Sequence, residues 1–284
     1  MDKIKEKRIK EGLTEKLSIY IPAIVKMFGR YMNNNTKERL KSIGDYSSLV
    51  MFDYSGKVTA FAGGKGIIMP IGAEIAFEKL KSFNNFKSNP NHKSYTKETL
   101  IENENTYEDY IKHLICVGAD VEIFLNDTLL HETLHFCGSG GGGISGAGAF
   151  KEGLNEYLTR IVAKENNFKT SGCGYPKEIK IVIELEKILG TEQLFKIAFL
   201  NDLKSINEFL VKEVGEEKTY LFNNVVTEME KEFYLAYYSK IKNYVGFEGA
   251  MQKAKNYKNI DYSKVYDIIN EYKDTVQINI TKSI

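Results

Sequence analysis

Apolar and polar positions repeat differently in the two halves of the chain. Between Ser48 and Ile71 three short runs of β-forming and apolar residues stand close together: Leu49-Val50-Met51-Phe52, Val58-Thr59-Ala60-Phe61 and Ile67-Ile68-Met69. Ser55-Gly56 separates the first two and Gly63-Gly64-Lys65-Gly66 the second pair. Short strands broken by glycine turns predict an antiparallel meander. Helical spacing flanks it over 14–29, 72–82 and 96–115, and the asparagine-rich stretch Phe83 to Ser94 reads as a loop. After Pro176 there is no further proline, and apolar residues recur at helical intervals. Ile179, Val182, Leu185 and Leu189 form one stripe closed by Gly190, and Thr191 caps the next, which carries Leu194, Ile197 and Ala198. Further helices are predicted at 203–213, 217–243, 247–256 and 261–273. The pattern therefore predicts a mixed α/β N-terminal lobe (1–120), a central region (121–170) and a helical C-terminal lobe (171–284), with no internal repeat.

Composition narrows the functional classes. Lys plus Arg number 39 against 38 Asp plus Glu, a formal charge of +1, so the basic excess of a nucleic-acid reader or a binder of anionic membranes is missing. A hydrophobic content of 43% over 284 residues excludes a disordered chain and is enough to bury a core without disulfide staples. Cys116, Cys137 and Cys173 are odd in number and widely spaced, which implies no disulfide framework. The mainly apolar run from Leu17 to Val25 contains Pro22 and falls far short of the ~20 residues that cross a bilayer. The first sixteen residues mix both charges, unlike a secretory leader. The expected location is cytoplasmic, with leaderless secretion as the alternative.

Candidate chemistry lies in the central region. Residues 131–135 read His-Glu-Thr-Leu-His. Four residues along a helix turn the side chain by about 400° and rise ~6 Å, so both imidazoles leave one face a turn apart, where both can reach one Zn²⁺. Glu132 projects beside that face, positioned to hold a water and take its proton. Asn126, Asp127 and Thr128 are the expected cap of this helix and Gly138 its stop. Val121 to Leu125 reads either as the preceding strand or as the helix's first turns. The next helical stretch, Ala149 to Arg160, places Glu152 seventeen residues after His135 and Glu156 one turn further on the same face. Phe150, Leu154, Tyr157 and Leu158 already make that helix amphipathic without either glutamate.

At these residues the sequence resembles the gluzincin superfamily of zinc metallopeptidases, over roughly residues 120–180. The resemblance implies a zincin-like α+β fold. The residue pattern gives its N-terminal lobe a small antiparallel sheet and helices and makes its C-terminal lobe mainly helical, and the absence of a clear linker before the motif helix favours one catalytic unit over 1–284. The resemblance also implies Glu152 as third metal ligand beside His131 and His135, with Glu156 behind them orienting a ligand histidine. The reverse assignment, Glu156 on the metal, stays open. Two departures stand out. The aminopeptidase segment Gly-x-Met-Glu-Asn is absent, Gly72-Ala73-Glu74 being no match, and no histidine follows His135 to steady an oxyanion. Tyr175, just before Pro176 at the start of the next helix, is the candidate for that role.

Other features carry less. Gly138 to Gly148 holds seven glycines in eleven residues, but no Gly-Lys-Ser/Thr follows, so it reads as a connector rather than a phosphate cradle. Cys137 points away from His135 and is expected to be buried as a small apolar residue, while His92 and His113 read as surface histidines. The expected function is zinc-dependent hydrolysis of peptide bonds in a peptide or protein substrate, with Glu132 as general base, internal cleavage favoured over aminopeptidase action, and the meander of 48–71 as an edge on which substrate lies extended. The alternatives are a catalytically inactive binding protein on the same fold, or a metal-free helical protein in which the motif is fortuitous.

Overall fold

The first helix, α1 (Lys3–Phe28), begins well before the predicted start and buries Leu13, Leu17, Tyr20, Ile21, Ile24 and Phe28 along one stripe. Spacings of three, four and seven residues keep these side chains on one face. The computed structural model describes residues 3–53, 61–63, 65–70, 121–138, 148–170, 175–200, 202–234, 257 and 259–282. After α1 come a 3-10 turn (Gly29–Tyr31), α2 (Asn34–Lys41) and a second 3-10 turn (Tyr46–Leu49). Three short strands follow: β1 (Val50–Asp53), β2 (Phe61–Gly63) and β3 (Gly66–Pro70).

These strands are not the expected antiparallel meander. The order is β1-β3-β2, and β1 runs parallel to β3 with Val50 opposite Ile67 and Asp53 opposite Pro70. Only β2 and β3 pair antiparallel, with Phe61 opposite Ile68 and Gly63 opposite Gly66. The central position goes to β3, whose Ile67 and Met69 are buried, because a middle strand has partners on both edges and is covered on its faces. Gly66 adopts φ 153°, and a Cβ there would run into the Leu49 carbonyl oxygen, so β3 can enter beside β1 only through glycine. Helix accounts for 82% of the described residues. The expected zincin-like α+β architecture, with an N-terminal lobe built on an antiparallel sheet, is therefore corrected to a helical protein carrying, among the described residues, one small mixed sheet.

The remaining described elements are helices: α3 (Val121–Cys137), α4 (Gly148–Asn166), α5 (Pro176–Leu189), α6 (Thr191–Ala198), α7 (Leu203–Val214), α8 (Glu216–Phe233) and α9 (Ser263–Lys282). The stripes read at Ile179–Leu189 and Leu194–Ile197 are the buried faces of α5 and α6. Two caps differ from expectation. Asn126 and Asp127 lie inside α3, so Val121–Leu125 forms helical turns and no strand. Gly190 holds the N-cap position of α6, and the Thr191 hydroxyl donates to Glu186 Oε1 instead. The predicted elements at 72–82, 83–94, 96–115 and 247–256 lie outside the described residues, as do His92, His113, Cys116, Cys173 and most of the glycine-rich connector.

α3 packs against α1 on one side and α4 on the other, and touches β2 and β3; α4 also packs along α5 and α8. One continuous cluster of buried side chains runs from Leu13 in α1 through Leu130, Phe150 and Val182 to Ile269 in α9. No helix among the described residues is long and apolar enough to cross a membrane.

Candidate metal centre

α3 packs on α4, and fully buried apolar residues anchor both helices in the core, Leu130 and Leu134 on one and Phe150, Leu154 and Leu158 on the other. Each such side chain contributes ~1.5–3 kcal/mol of burial. The α4 face opposite its apolar stripe, carrying Glu152, Asn155 and Glu156, is the one turned toward α3. His131 Nε2 lies 3.1 Å from Glu152 Oε2, and His135 Nε2 lies 3.5 Å from the same oxygen. All three donor atoms fall within 4.8 Å of one another. A tetrahedral zinc with bonds of about 2.0–2.1 Å holds its ligand atoms about 3.3 Å apart, so the spacing fits the ion. Two imidazole nitrogens and one carboxylate oxygen are also the donor set of an open zinc site.

Around this trio the chain fixes His131 from two more directions. Its Nδ1 is 3.0 Å from Glu156 Oε2, and Glu156 also accepts from Arg160 Nε at 3.4 Å. Asn155 Nδ2 donates to the His131 backbone carbonyl at 2.7 Å. Glu152, Asn155 and Glu156 thus present one face of α4 to one residue of α3. Glu156 therefore sits on the far side of the His131 ring from Glu152, the arrangement by which a carboxylate sets the tautomer of a metal-binding imidazole. The side chains of His131 and Glu156 are 9% and 6% exposed, whereas those of His135 and Glu152 are 23% and 32% exposed, so the cluster is open on the His135–Glu152 side.

The electrostatics favour a cation. Burial works against an imidazolium at His131, but the carboxylates of Glu152 and Glu156 outweigh it and raise its pKa to about 10. Burial likewise opposes charge on Glu152, yet His135 and His131 hold it well below the usual carboxylate range. A proton here occupies the place of a positive ion. Glu132 is pushed up, chiefly by burial, against the opposing influence of His131 and His135. The Ala62 backbone N–H, on edge strand β2, donates to its carboxylate.

Tyr175 lies over the cluster. Its ring stacks on His131 with centroids 5.7 Å apart and an interplanar angle of 22°. It is the N-cap residue of α5 and holds φ 44°, a left-handed conformation that costs a non-glycine residue about 1–3 kcal/mol. Cys137 takes no part: it is fully buried, and burial pushes its thiol up to about 12.

Several supporting residues escape a reading of motifs. Asn155 shares the i, i+3, i+4 face with Glu152 and Glu156, which the sequence displays but does not distinguish from a solvated asparagine. Lys151 is buried and donates to the carbonyl oxygens of Ile197, Ala198 and Leu200 at 3.0, 3.1 and 3.2 Å. It ties the start of α4 to the C-terminal end of α6, where carbonyls lack helical partners. The Ala62 amide carries no sequence signal at all. Compared with known proteins, the chain matches no family model, no curated protein and no solved structure.

Proposed function

We propose that the protein is a zinc-dependent peptide hydrolase whose metal is held by His131, His135 and Glu152. The observation that carries this reading is the convergence of two Nε2 atoms and one carboxylate oxygen within 4.8 Å, with Glu132 on the same helix beside them. Bound there, zinc would acidify a water and polarise a scissile carbonyl. Glu132 takes the proton of the attacking water and returns it to the departing amine; a carboxylate raised by burial is a better base near neutral pH than an exposed one. The bond from His131 Nδ1 to Glu156 keeps the Nε2 lone pair turned toward the site. Tyr175 donates to the oxygen that gains charge as the water attacks, a role supported by its position over His131.

Among the described residues β2 is an edge of the sheet and touches α3, which supports an extended substrate lying along it beside the metal helix. That supports cleavage inside a chain rather than at a free amino end. The test is Glu132→Gln. Metal analysis should find about one zinc per chain in both proteins, while hydrolysis of an unfolded protein substrate falls by about 10²–10⁴-fold in the variant. A protein purified without zinc and unable to take it up rejects the reading. Metal retained with no hydrolysis in the unmodified protein points instead to a binding role.

A further inference from the structure

Helix α5 begins in an unusual way. The N-cap position, where Ser, Thr, Asp or Asn ordinarily turns a short oxygen back onto the first N–H groups, holds Tyr175. A phenol is too long for that turn. Pro176 at the next position has no N–H, which leaves the Lys177 amide as the first that needs an acceptor. That acceptor comes from 80 residues away: the Lys177 N–H donates to the Tyr257 hydroxyl oxygen at 3.3 Å. The same hydroxyl donates to Glu178 Oε2 at 2.5 Å. Glu178 is fully buried, and its other oxygen accepts from the Tyr262 hydroxyl at 2.6 Å. Lys177 Nζ fastens the same segment by donating to the Ile260 carbonyl at 2.7 Å. The Tyr257 ring meets the Tyr175 ring edge-on, with centroids 6.4 Å apart at 87°.

We infer that Tyr257 is a positioning residue: its hydroxyl supplies the cap that position 175 cannot, and so holds the Tyr175 ring in its left-handed turn over His131. Capping from a distance frees the N-cap position for a side chain that serves the metal centre. The inference deepens the proposed function, since Tyr175 matters to catalysis only if zinc is held beneath it. It makes the stretch around Tyr257 and Tyr262 part of the site's framework.

The geometry can be read without metal. A ring stacked on an imidazole shields the imidazole's C–H protons, so losing the stack moves their resonances downfield. The chain has four histidines, few enough to assign each ring signal by single substitution. In zinc-free protein, Tyr175→Leu should move the His131 ring resonances downfield. Tyr257→Phe, which keeps the ring and removes the hydroxyl, should move them in the same direction by at least half as much. Tyr262→Phe removes the other hydroxyl on Glu178 without touching the Lys177 amide, and should leave them in place. If Tyr257→Phe does not fold, Glu178→Gln weakens the grip on the same phenol and should produce a smaller downfield shift. The inference is overturned if His131 does not respond to Tyr257→Phe, or to Glu178→Gln in its stead. It also falls if Tyr262→Phe shifts His131 as far, because that is general loosening, or if Tyr175→Leu has no effect. Failure to bind zinc would sink the hydrolase and leave these shifts as they are.

Discussion

His131 is the residue on which the site turns. Glu152 faces its Nε2, Glu156 its Nδ1, Asn155 its carbonyl and Tyr175 its ring plane. Without a metal, the two carboxylates keep it protonated up to about 10, above its ordinary value of 6.5. A raised histidine contributes stability that is fully present below about 6.5 and is lost as pH rises toward 10. The depressed Glu152 contributes stability that is present above its ordinary 4.5 and lost as pH falls further. Zinc binding must displace the His131 proton, so between pH 6.5 and 10 one proton should leave for each zinc bound, and affinity should rise by about tenfold per pH unit. Calorimetric titrations in buffers of different ionisation enthalpy measure this directly. Affinity that stays level across the window would mean that His131 is not a ligand. The spacing of His131, Glu132 and His135 was legible in the sequence because a helix converts four residues into one face. The Ala62 amide on Glu132 was not, since no local pattern tells which backbone group a distant strand will offer.

At the level of elements, the decisive contact is that of α4 with α5. Gly153, the residue after Glu152, has no room for a side chain: a Cβ would lie 2.5 Å from Glu178 Cβ and 3.0 Å from its carbonyl carbon. Glycine there fixes how closely Glu152 on one helix approaches the Tyr175 end of the other. Gly153→Ala gains about 0.5–1 kcal/mol of helix propensity but pushes the backbones apart, at a cost of about 1–3 kcal/mol. The cost wins. The variant should lose about 1–2 kcal/mol in urea unfolding and bind zinc more weakly than the unmodified protein, as read by competition with a chelator. A variant stabilised like an exposed helical alanine would show that the helices stand further apart than described. The helices between Pro176 and Phe233 were legible because each buries a local stripe, as Ile179 to Leu189 does. By contrast, α1 starts eleven residues before its predicted start, α9 runs nine beyond its predicted end and the short α2 was not predicted. The sheet was not legible either. Three apolar runs separated by glycine turns fit several strand orders, and the choice of β3 for the centre depends on what covers Ile67 and Met69. That information is not local to the strands.

For the whole molecule, the central question is whether the metal centre belongs to one part or to all of it. The trio lies between α3 and α4, and these helices share a continuous core with α1 near the start of the chain and α9 near its end. A ligand bound at such a place stabilises whatever unfolds together with it. If the core is one cooperative body, zinc at a hundredfold excess over its Kd adds about 2.7 kcal/mol to the entire transition. For a chain of 284 residues, with an unfolding entropy of about 2 cal/mol/K per residue, that corresponds to a Tm shift on the order of 5 °C. The shift should appear equally in far-UV circular dichroism, which reports all the helices, and in tyrosine fluorescence, which reports the 18 tyrosines spread along the chain. Chelation should reverse it in both signals together. Two separate transitions, with only one responding to zinc, would place a cooperative boundary between α1 and the metal helices. The buried contacts of Leu17 and Ile24 with the rest of the core would then contribute little to holding His131 and His135 in place.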